Sequence, residues 1–250
     1  MTYKENPNIE KACCFTGPRP KNFPWRNENE RYTMPLMARL EREIRKAIDK
    51  GYRHFISGMS IGVDMYAARI VLKIKREQPD FGITLEAAIP FPSQPDKWTE
   101  TQKAEYVETL ALADKQTIIG KEHSVENFNK RNNYMVDNAG LVIAVNSYKS
   151  GGTLRTINYA KTKNRALVVI EPMEFYTEIN GSIGIKQDKV KDICEAGSKG
   201  KDDRVTDGYS SLQELFQKGN FLTGEETAKR VKKGVSAFLE KAKKSGIIIR

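Results

Sequence analysis

Short apolar runs alternate with amphipathic helical patterns along residues 11–172 of this 250-residue chain. The run Leu141–Val145 is wholly apolar, which is typical of a strand that is buried on both faces of a sheet. Elsewhere, apolar residues recur at helical spacing, as at Met37, Leu40 and Ile44. The alternation predicts an α/β fold with a Rossmann-like, mostly parallel sheet and helices on both of its faces.

The pattern places the predicted elements as follows. Strands are predicted at residues 11–15, 53–57, 83–89, 117–119, 141–145 and 166–170, with helices around apolar positions in 37–48, 67–72, 104–111, 128–139 and 154–160. In parallel sheets of this kind, ligands bind beyond the carboxyl ends of the strands, at the topological switch point. The segments after the strands are therefore the candidate site.

The pattern changes after residue 172, so we predict one domain at 11–172 and a small C-terminal appendage at 173–250. The appendage carries signals for a hairpin turn at Asn180-Gly181 and for helices opened by capping boxes at Ser211/Glu214 and Thr223/Glu226. The apolar face of the last predicted helix must dock on the main domain or on a second subunit. Self-association is therefore one expectation.

Composition narrows the function classes. No apolar run approaches the roughly 20 residues that span a bilayer, and the polar N-terminus does not resemble a signal peptide, so we expect a cytoplasmic protein without a membrane partner. Three cysteines and two histidines predict neither a disulfide framework nor a metal site, and Cys13 and Cys14 are expected to act as small buried hydrophobes. The net charge of +10 favours an anionic partner, either nucleotide, nucleic acid or phosphate.

Residues 57–64, here called the glycine turn, follow the second predicted strand. Gly58 and Gly62 let the backbone turn sharply and approach a ligand closely, and Asp64 stands at the start of the next predicted helix. A strand that leads through glycines into a helix presents free N–H groups and the positive end of the helix dipole. The glycine turn therefore predicts a phosphate site.

Residues of matching chemistry follow the other strands. N–H groups and arginines suit phosphate, an acid suits a ribose hydroxyl, and an aromatic ring suits a base, which together predict a nucleotide site. The predicted ligand-binding residues are Gly17, Arg19, Ser57, Gly58, Gly62, Asp64, Phe91, Arg131, Asn132, Gly151, Gly152 and Thr153. We predict no catalytic residue, no metal ligand and no cofactor.

Several of these residues also have a purely structural interpretation. Asp64 could offset the helix dipole, Arg131 could be a surface cation, and Thr153 could cap a helix. Phe91 and Trp98 could pack rather than stack on a base. The sequence leaves these alternatives open, although their coincidence at several strand ends favours a site.

Five ordered motifs within residues 11–172 resemble the YpsA-like family of the SLOG superfamily. They are TGPRP at 16–20, SGMSIGVD at 57–64, IPFPSQPDKW at 89–98, RNNYMVD at 131–137 and SGGTLRT at 150–156. The superfamily also holds the DNA-processing protein DprA and the LOG nucleotide hydrolases. The resemblance implies a Rossmann-like fold that binds a nucleotide or nucleotide-derived ligand.

Two branches of the superfamily suggest alternative functions. LOG-type hydrolases carry a glutamate where this chain has Thr156, and threonine cannot act as a carboxylate acid or base, so we favour binding over hydrolysis. Hydrolysis assisted by Asp64 or Asp137 stays an alternative. DprA-like binding of single-stranded nucleic acid is another, with the basic and aromatic segment 19–26 as its candidate surface. We prefer the interpretation that Phe23 and Trp25 in that segment cover the first helix.

Overall fold

A computed structural model describes residues 8–25, 30–146 and 150–175 of the chain. Within them, six parallel strands form one sheet in the order β4-β3-β2-β1-β5-β6. The strands are β1 (Ala12–Thr16), β2 (His54–Ser57), β3 (Thr84–Ile89), β4 (Lys115–Ile118), β5 (Leu141–Val145) and β6 (Ala166–Ile170). The sheet confirms the predicted α/β, Rossmann-like fold. Its strand order reverses between β1 and β5, which is the topological switch point.

Helices cover both faces of the sheet, as predicted. In the described ranges the α-helices are α1 (Glu30–Asp49), α2 (Val63–Glu77), α3 (Glu100–Leu112), α4 (Val125–Asp137) and α5 (Gly152–Thr162). Helices α1, α2 and α3 pack on one face, and α4 and α5 pack on the other. None of the helices described is both long enough and apolar enough to cross a membrane.

Strand β1 separates the two hydrophobic cores. Cys13 and Phe15 point to the α1–α3 face, where Phe15 stacks on Phe55 of β2 at 6.0 Å between ring centroids. Cys14 points to the α4–α5 face and packs with Val142 of β5. Both thiols are free and fully buried, and burial raises the pKa of each, so they act as small hydrophobes as predicted.

The edge strand β4 shows where the sequence pattern was weakest. It spans Lys115–Ile118, whereas the predicted range was 117–119. The start was missed because the first residues of the strand are polar and the strand is at most half-buried. An edge strand packs against one neighbour only, so it needs no continuous apolar run. The predicted appendage lies outside the described residues from residue 176 onward.

Candidate functional site

The glycine turn connects β2 to α2 through a tightly bonded loop. The fully buried Ser57 hydroxyl donates to the carbonyl of Asp64 at 2.7 Å and accepts from the N–H of Met59 at 3.1 Å. Met59 is left-handed with φ 56°, and Gly62 has φ 94° directly before α2. The conformation at Gly62 is one that glycine adopts without steric strain. The turn is therefore shaped by its own hydrogen bonds.

A buried ion pair supports this turn. Arg131 reaches from α4, and its Nη1 lies 3.6 Å from Oδ2 of Asp64 in the first turn of α2. The same guanidinium donates to the carbonyl of Gly58 and, at 3.2 Å, to the hydroxyl of Ser60. Arg131 is 4% exposed and Asp64 is 5% exposed, so both charges lie beneath the surface.

Burial and the charge of the partner shift the pKa of each member of this pair in opposite directions. Burial raises the pKa of Asp64, and the positive charge of Arg131 opposes that shift. Burial likewise lowers the pKa of Arg131, and the negative charge of Asp64 opposes it. Each charge therefore offsets part of the cost of burying the other.

Three glycines of the predicted site, Gly17, Gly58 and Gly62, approach protein atoms, whereas Gly151 and Gly152 face open space. A Cβ at Gly58 would overlap the guanidinium of Arg131 and lie 2.6 Å from Oδ2 of Asp64. A Cβ at Gly17 would meet the side chain of Val63, and one at Gly62 would lie 2.7 Å from the carbonyl of Pro18. The sequence analysis assigned this close approach to a ligand, whereas the structure fills it with the ion pair and the neighbouring loop.

A cavity of about 470 Å³, here called the rim cavity, opens at the carboxyl ends of β1 to β4. Its size is within the range of small-molecule sites, roughly 300–1,000 Å³. The described residues that line it include three cations and no carboxylate. The full set of described lining residues is Arg19, Pro20, Lys21, Ile61, Phe91, Gln94, Lys97, Trp98, Gln102, His123 and Phe128. This lining suits an anion that also carries a flat ring.

One wall of the rim cavity is aromatic. The ring of Phe91 meets His123 at 5.1 Å and Phe128 at 5.2 Å between centroids, both in edge-on geometry. Cζ of Arg19 lies 5.9 Å from the centroid of Phe128, which is the spacing of a cation–π contact. Phe91 is 1% exposed, so its ring packs, and the accessible ring surface beside the charge of Arg19 comes from His123 and Phe128.

The predicted site residues fall into three groups. Arg19 and Phe91 line the rim cavity. The supporting group surrounds the glycine turn and comprises Gly17, Ser57, Gly58, Gly62, Asp64, Arg131 and Asn132, whose Oδ1 accepts from Nε of Arg131 at 2.9 Å. The third group, at the start of α5, is Gly151, Gly152 and Thr153, which lie outside the cavity lining. The helix begins with Gly151 as its N-cap, so Thr153 does not cap it.

Several cavity residues, among them Lys97, Gln102, His123 and Phe128, are not among the predicted site residues, and Lys21 was predicted only as part of the segment 19–26 that could bind a nucleic acid strand. His123 and Phe128 follow β4, the strand end at which the sequence prediction placed no site residue. The rule that ligands bind beyond strand ends applies to β4 as to its neighbours, so the signal was available.

Carboxylates that could assist hydrolysis lie away from the rim cavity. Asp137 ends α4, nine residues or about 13 Å along the helix from the cavity residue Phe128. There it accepts from the hydroxyl of Tyr159 at 3.0 Å and pairs with Lys163 at 3.2 Å. Thr156 is 2% exposed and donates to the carbonyl of Gly152 at 3.0 Å. No group of three or more possible metal ligands occurs in the part of the chain that the structure describes.

The fold and the cavity define an α/β protein of Rossmann-like topology with a basic, aromatic cavity at the carboxyl edge of its sheet. The chain belongs to the YpsA family of SLOG proteins, since the family model described as the YspA SLOG family matches residues 13–175.

Relatives extend this similarity. The uncharacterized SPbeta prophage-derived protein YoqJ of Bacillus subtilis is 33% identical over 138 residues, which cover 50% of this chain and 78% of that protein. A UPF0398 protein of Halalkalibacterium halodurans is 25% identical over 158 residues, which cover 62% of this chain and 82% of the relative. Among solved structures, DNA processing protein A (DprA) of Streptococcus pneumoniae matches with a TM-score of 0.40 and 15% identity. That match covers 84% of this chain and 57% of the DprA chain.

Proposed function

We propose that this protein binds a nucleotide or nucleotide-derived phosphate ligand in the rim cavity and does not turn it over. The observation that carries the proposal is the lining, in which Arg19, Lys21 and Lys97 surround a cavity with an aromatic wall. Cations pair with phosphate oxygens, and aromatic rings take the flat face of a base. Family membership supports a ligand of this class.

The proposal assigns different roles to the two arginines of the sequence prediction. Arg19 is half-buried at the cavity wall and pairs with phosphate. Arg131 and Asp64 hold the glycine turn beneath the cavity, because their charges are already paired and buried. Thr153 and the glycines before it take part if the ligand extends across the switch point toward α5. Self-association and a cytoplasmic location stay predictions from the sequence.

Calorimetric titration of the full chain tests the proposal. The panel is AMP, ADP, ADP-ribose, GMP and CMP, and Arg19→Ala is compared with Arg42→Ala, which removes an exposed arginine on α1. We expect at least one nucleotide to bind, and Arg19→Ala to weaken it at least tenfold because a charge-assisted hydrogen bond is lost. Arg42→Ala should bind as the wild type does. Absence of binding to every nucleotide, or equal affinity in the Arg19 variant, would overturn the proposal.

Single-stranded nucleic acid is the second candidate, because the same cations and rings are the groups that bind single strands. The segment proposed for it from the sequence is packed instead. Phe23 and Trp25 are 1% and 7% exposed, and Trp25 stacks on Tyr32 of α1 at 5.4 Å. Phe23 stacks on Trp25 at 5.1 Å and on Tyr66 of α2 at 6.4 Å, which supports the preferred interpretation that these rings pack in the core rather than bind a strand.

Hydrolysis is tested separately by turnover. We expect chromatography to show no product from any nucleotide that binds, since the two candidate carboxylates lie buried or distant from the cavity. Product that disappears in Asp64→Asn would replace the binding proposal with an enzymatic one.

A further inference from the structure

Gln94 lies in the loop after β3, at the boundary between the glycine turn and the rim cavity. Its side chain is buried, at 6% exposure for the residue. Nε2 donates to the carbonyl of Met59 at 3.2 Å, to the carbonyl of Gly58 at 3.4 Å and to the hydroxyl of Ser60 at 3.4 Å. Gln94 is therefore fastened to the turn through its amide nitrogen.

These contacts fix the orientation of the amide. The reversed amide would place Oε1 against the carbonyl oxygens of Gly58 and Met59, and two acceptors cannot share a hydrogen bond. The nitrogen must therefore face the turn. The bonds from Nε2 hold the amide, so Oε1 is not free to exchange places with Nε2.

Oε1 of Gln94 has no hydrogen-bond partner among the described residues, although the atom is buried. Buried acceptors are normally paired, because loss of water without a new partner is unfavourable. The charged residues of the rim cavity, Arg19, Lys21 and Lys97, are all donors. The other glutamine of the lining, Gln102, already accepts at Oε1 from the N–H of Thr99 at 3.2 Å.

We propose that Gln94 determines specificity by accepting, at Oε1, a hydrogen bond from an N–H or O–H of the bound nucleotide. This inference rests on the proposed nucleotide binding in the same cavity. The cations select for the phosphate, and Gln94 selects for a ligand with a donor at one position. Either the exocyclic amine of a base or a ribose hydroxyl supplies that donor.

The test is a cycle between changes in the protein and changes in the ligand, measured by calorimetry on the full chain. The probes are AMP, purine riboside 5′-monophosphate, which lacks the amine, and the 2′-deoxy and 3′-deoxy forms of AMP. The proteins are the wild type, Gln94→Met and Gln102→Met. The last is the matched control, since it removes the cavity glutamine whose Oε1 is already occupied.

We expect one probe to bind the wild type about tenfold more weakly than AMP, which is the loss of one hydrogen bond. The identity of that probe tells whether the amine or a ribose hydroxyl is the donor. In Gln94→Met the same probe and AMP should differ less than twofold, and in Gln102→Met the tenfold difference should remain.

Two failures are distinguishable. If no nucleotide binds the wild type, the proposed function fails and this inference fails with it. If AMP binds and Arg19→Ala weakens it, but all four probes bind equally, only the inference is overturned. A tenfold difference that persists in Gln94→Met also overturns it. Should Gln94→Met not fold, Gln94→Leu takes its place in the cycle, and four probes that bind the wild type equally overturn the inference without any variant.

Discussion

Arg131 and Asp64 come from helices on opposite faces of the sheet, yet their side chains meet under one turn with Nη1 3.6 Å from Oδ2. The pair joins α4 to α2 across the carboxyl end of β2. It also contacts the backbone at Gly58, so the charge pair and the glycine form one unit.

Removing one partner of this pair should strongly destabilise the fold. Arg131→Met leaves a buried carboxylate without its counter-charge, which typically costs about 3–5 kcal/mol. The double variant Arg131→Met/Asp64→Asn should lose less than the sum of the two single variants. Urea unfolding of the three proteins at pH 7 measures this coupling, and strictly additive losses would show that the pair does not act as a unit.

Substitution by alanine should lower the stability of the protein at one glycine of the predicted site and leave it almost unchanged at another. Gly58→Ala forces a methyl group into the guanidinium of Arg131 and should cost about 1–3 kcal/mol through overpacking. Gly152→Ala meets nothing within 4 Å and should stay within about 0.5 kcal/mol of the wild type. Thermal unfolding compares the two variants. A Gly152→Ala protein that folds normally and binds nucleotide more weakly would place the ligand over α5.

We expect the protein to lose stability in acid because of the buried Glu86 of β3. It is 1% exposed and accepts from His54 at 2.9 Å, from Thr117 at 2.6 Å and from Tyr134 at 2.6 Å, with Lys115 at 3.0 Å. These partners outweigh burial, which alone would raise its pKa, and they lower the pKa of Glu86 from 4.5 to about 2. The ionised form is therefore favoured by folding.

Because the folded pKa lies below the unfolded one, the stabilisation is present above about pH 4.5 and is lost as the pH falls through 2. Glu86→Gln should be less stable than the wild type by about 3 kcal/mol at pH 7, and the gap should close toward pH 2. Glu122→Gln, which changes an exposed glutamate, is the control. A gap that is independent of pH would mean that Glu86 is not held ionised by its partners.

The aromatic wall should contribute to binding only when the ligand has a base. Phe128→Leu removes a ring beside Arg19 and should weaken nucleotide binding roughly tenfold, the scale of one base–aromatic stack. Ribose 5-phosphate should bind the variant and the wild type alike. Equal losses for both ligands would instead indicate that the substitution distorts the cavity as a whole.

Salt dependence should separate a mononucleotide from a nucleic acid strand. The rim cavity offers Arg19, Lys21 and Lys97, so a strand bound there alone should give a slope of log affinity against log salt no steeper than about −2. Titrations of a single-stranded oligonucleotide from low to high salt measure the slope. A much steeper slope would show that the strand contacts further cations outside the cavity.

The strands that carry continuous apolar runs could be predicted from the sequence, because such a run is typical of a strand whether it lies in the centre of the sheet, like β5, or at its edge, like β6. Leu141–Val145 and Ala166–Ile170 match the structure at both ends. The edge strand β4 was shortened in the prediction because its first residues are polar. The two edge strands differ in composition: β6 is wholly apolar and was predicted in full, whereas the polar start of β4 is fixed by backbone pairing with β3, which composition does not reveal.

The candidate site could be predicted only in part, because the sequence does not show which side chains are in contact in the folded protein. Arg131 was assigned to phosphate on the strength of its charge and its motif. In the structure the guanidinium of Arg131 is paired with the carboxylate of Asp64. His123 and Phe128 become cavity residues through the tertiary placement of α4 beside β3.

The anchoring of the glycine turn from both helical layers has a consequence for how the molecule moves. Opening the turn breaks contacts to α2 and α4 together, so the buried amide hydrogen of Met59, which bonds Ser57, should exchange with solvent only when these contacts open. Residues 121–123, after β4, are exposed, so their amide hydrogens should exchange sooner, although the ring of His123 still contacts Phe91 and Phe128. A ligand would thus enter beside the exposed residues 121–123 and lie against the glycine turn, which both helical layers hold in place.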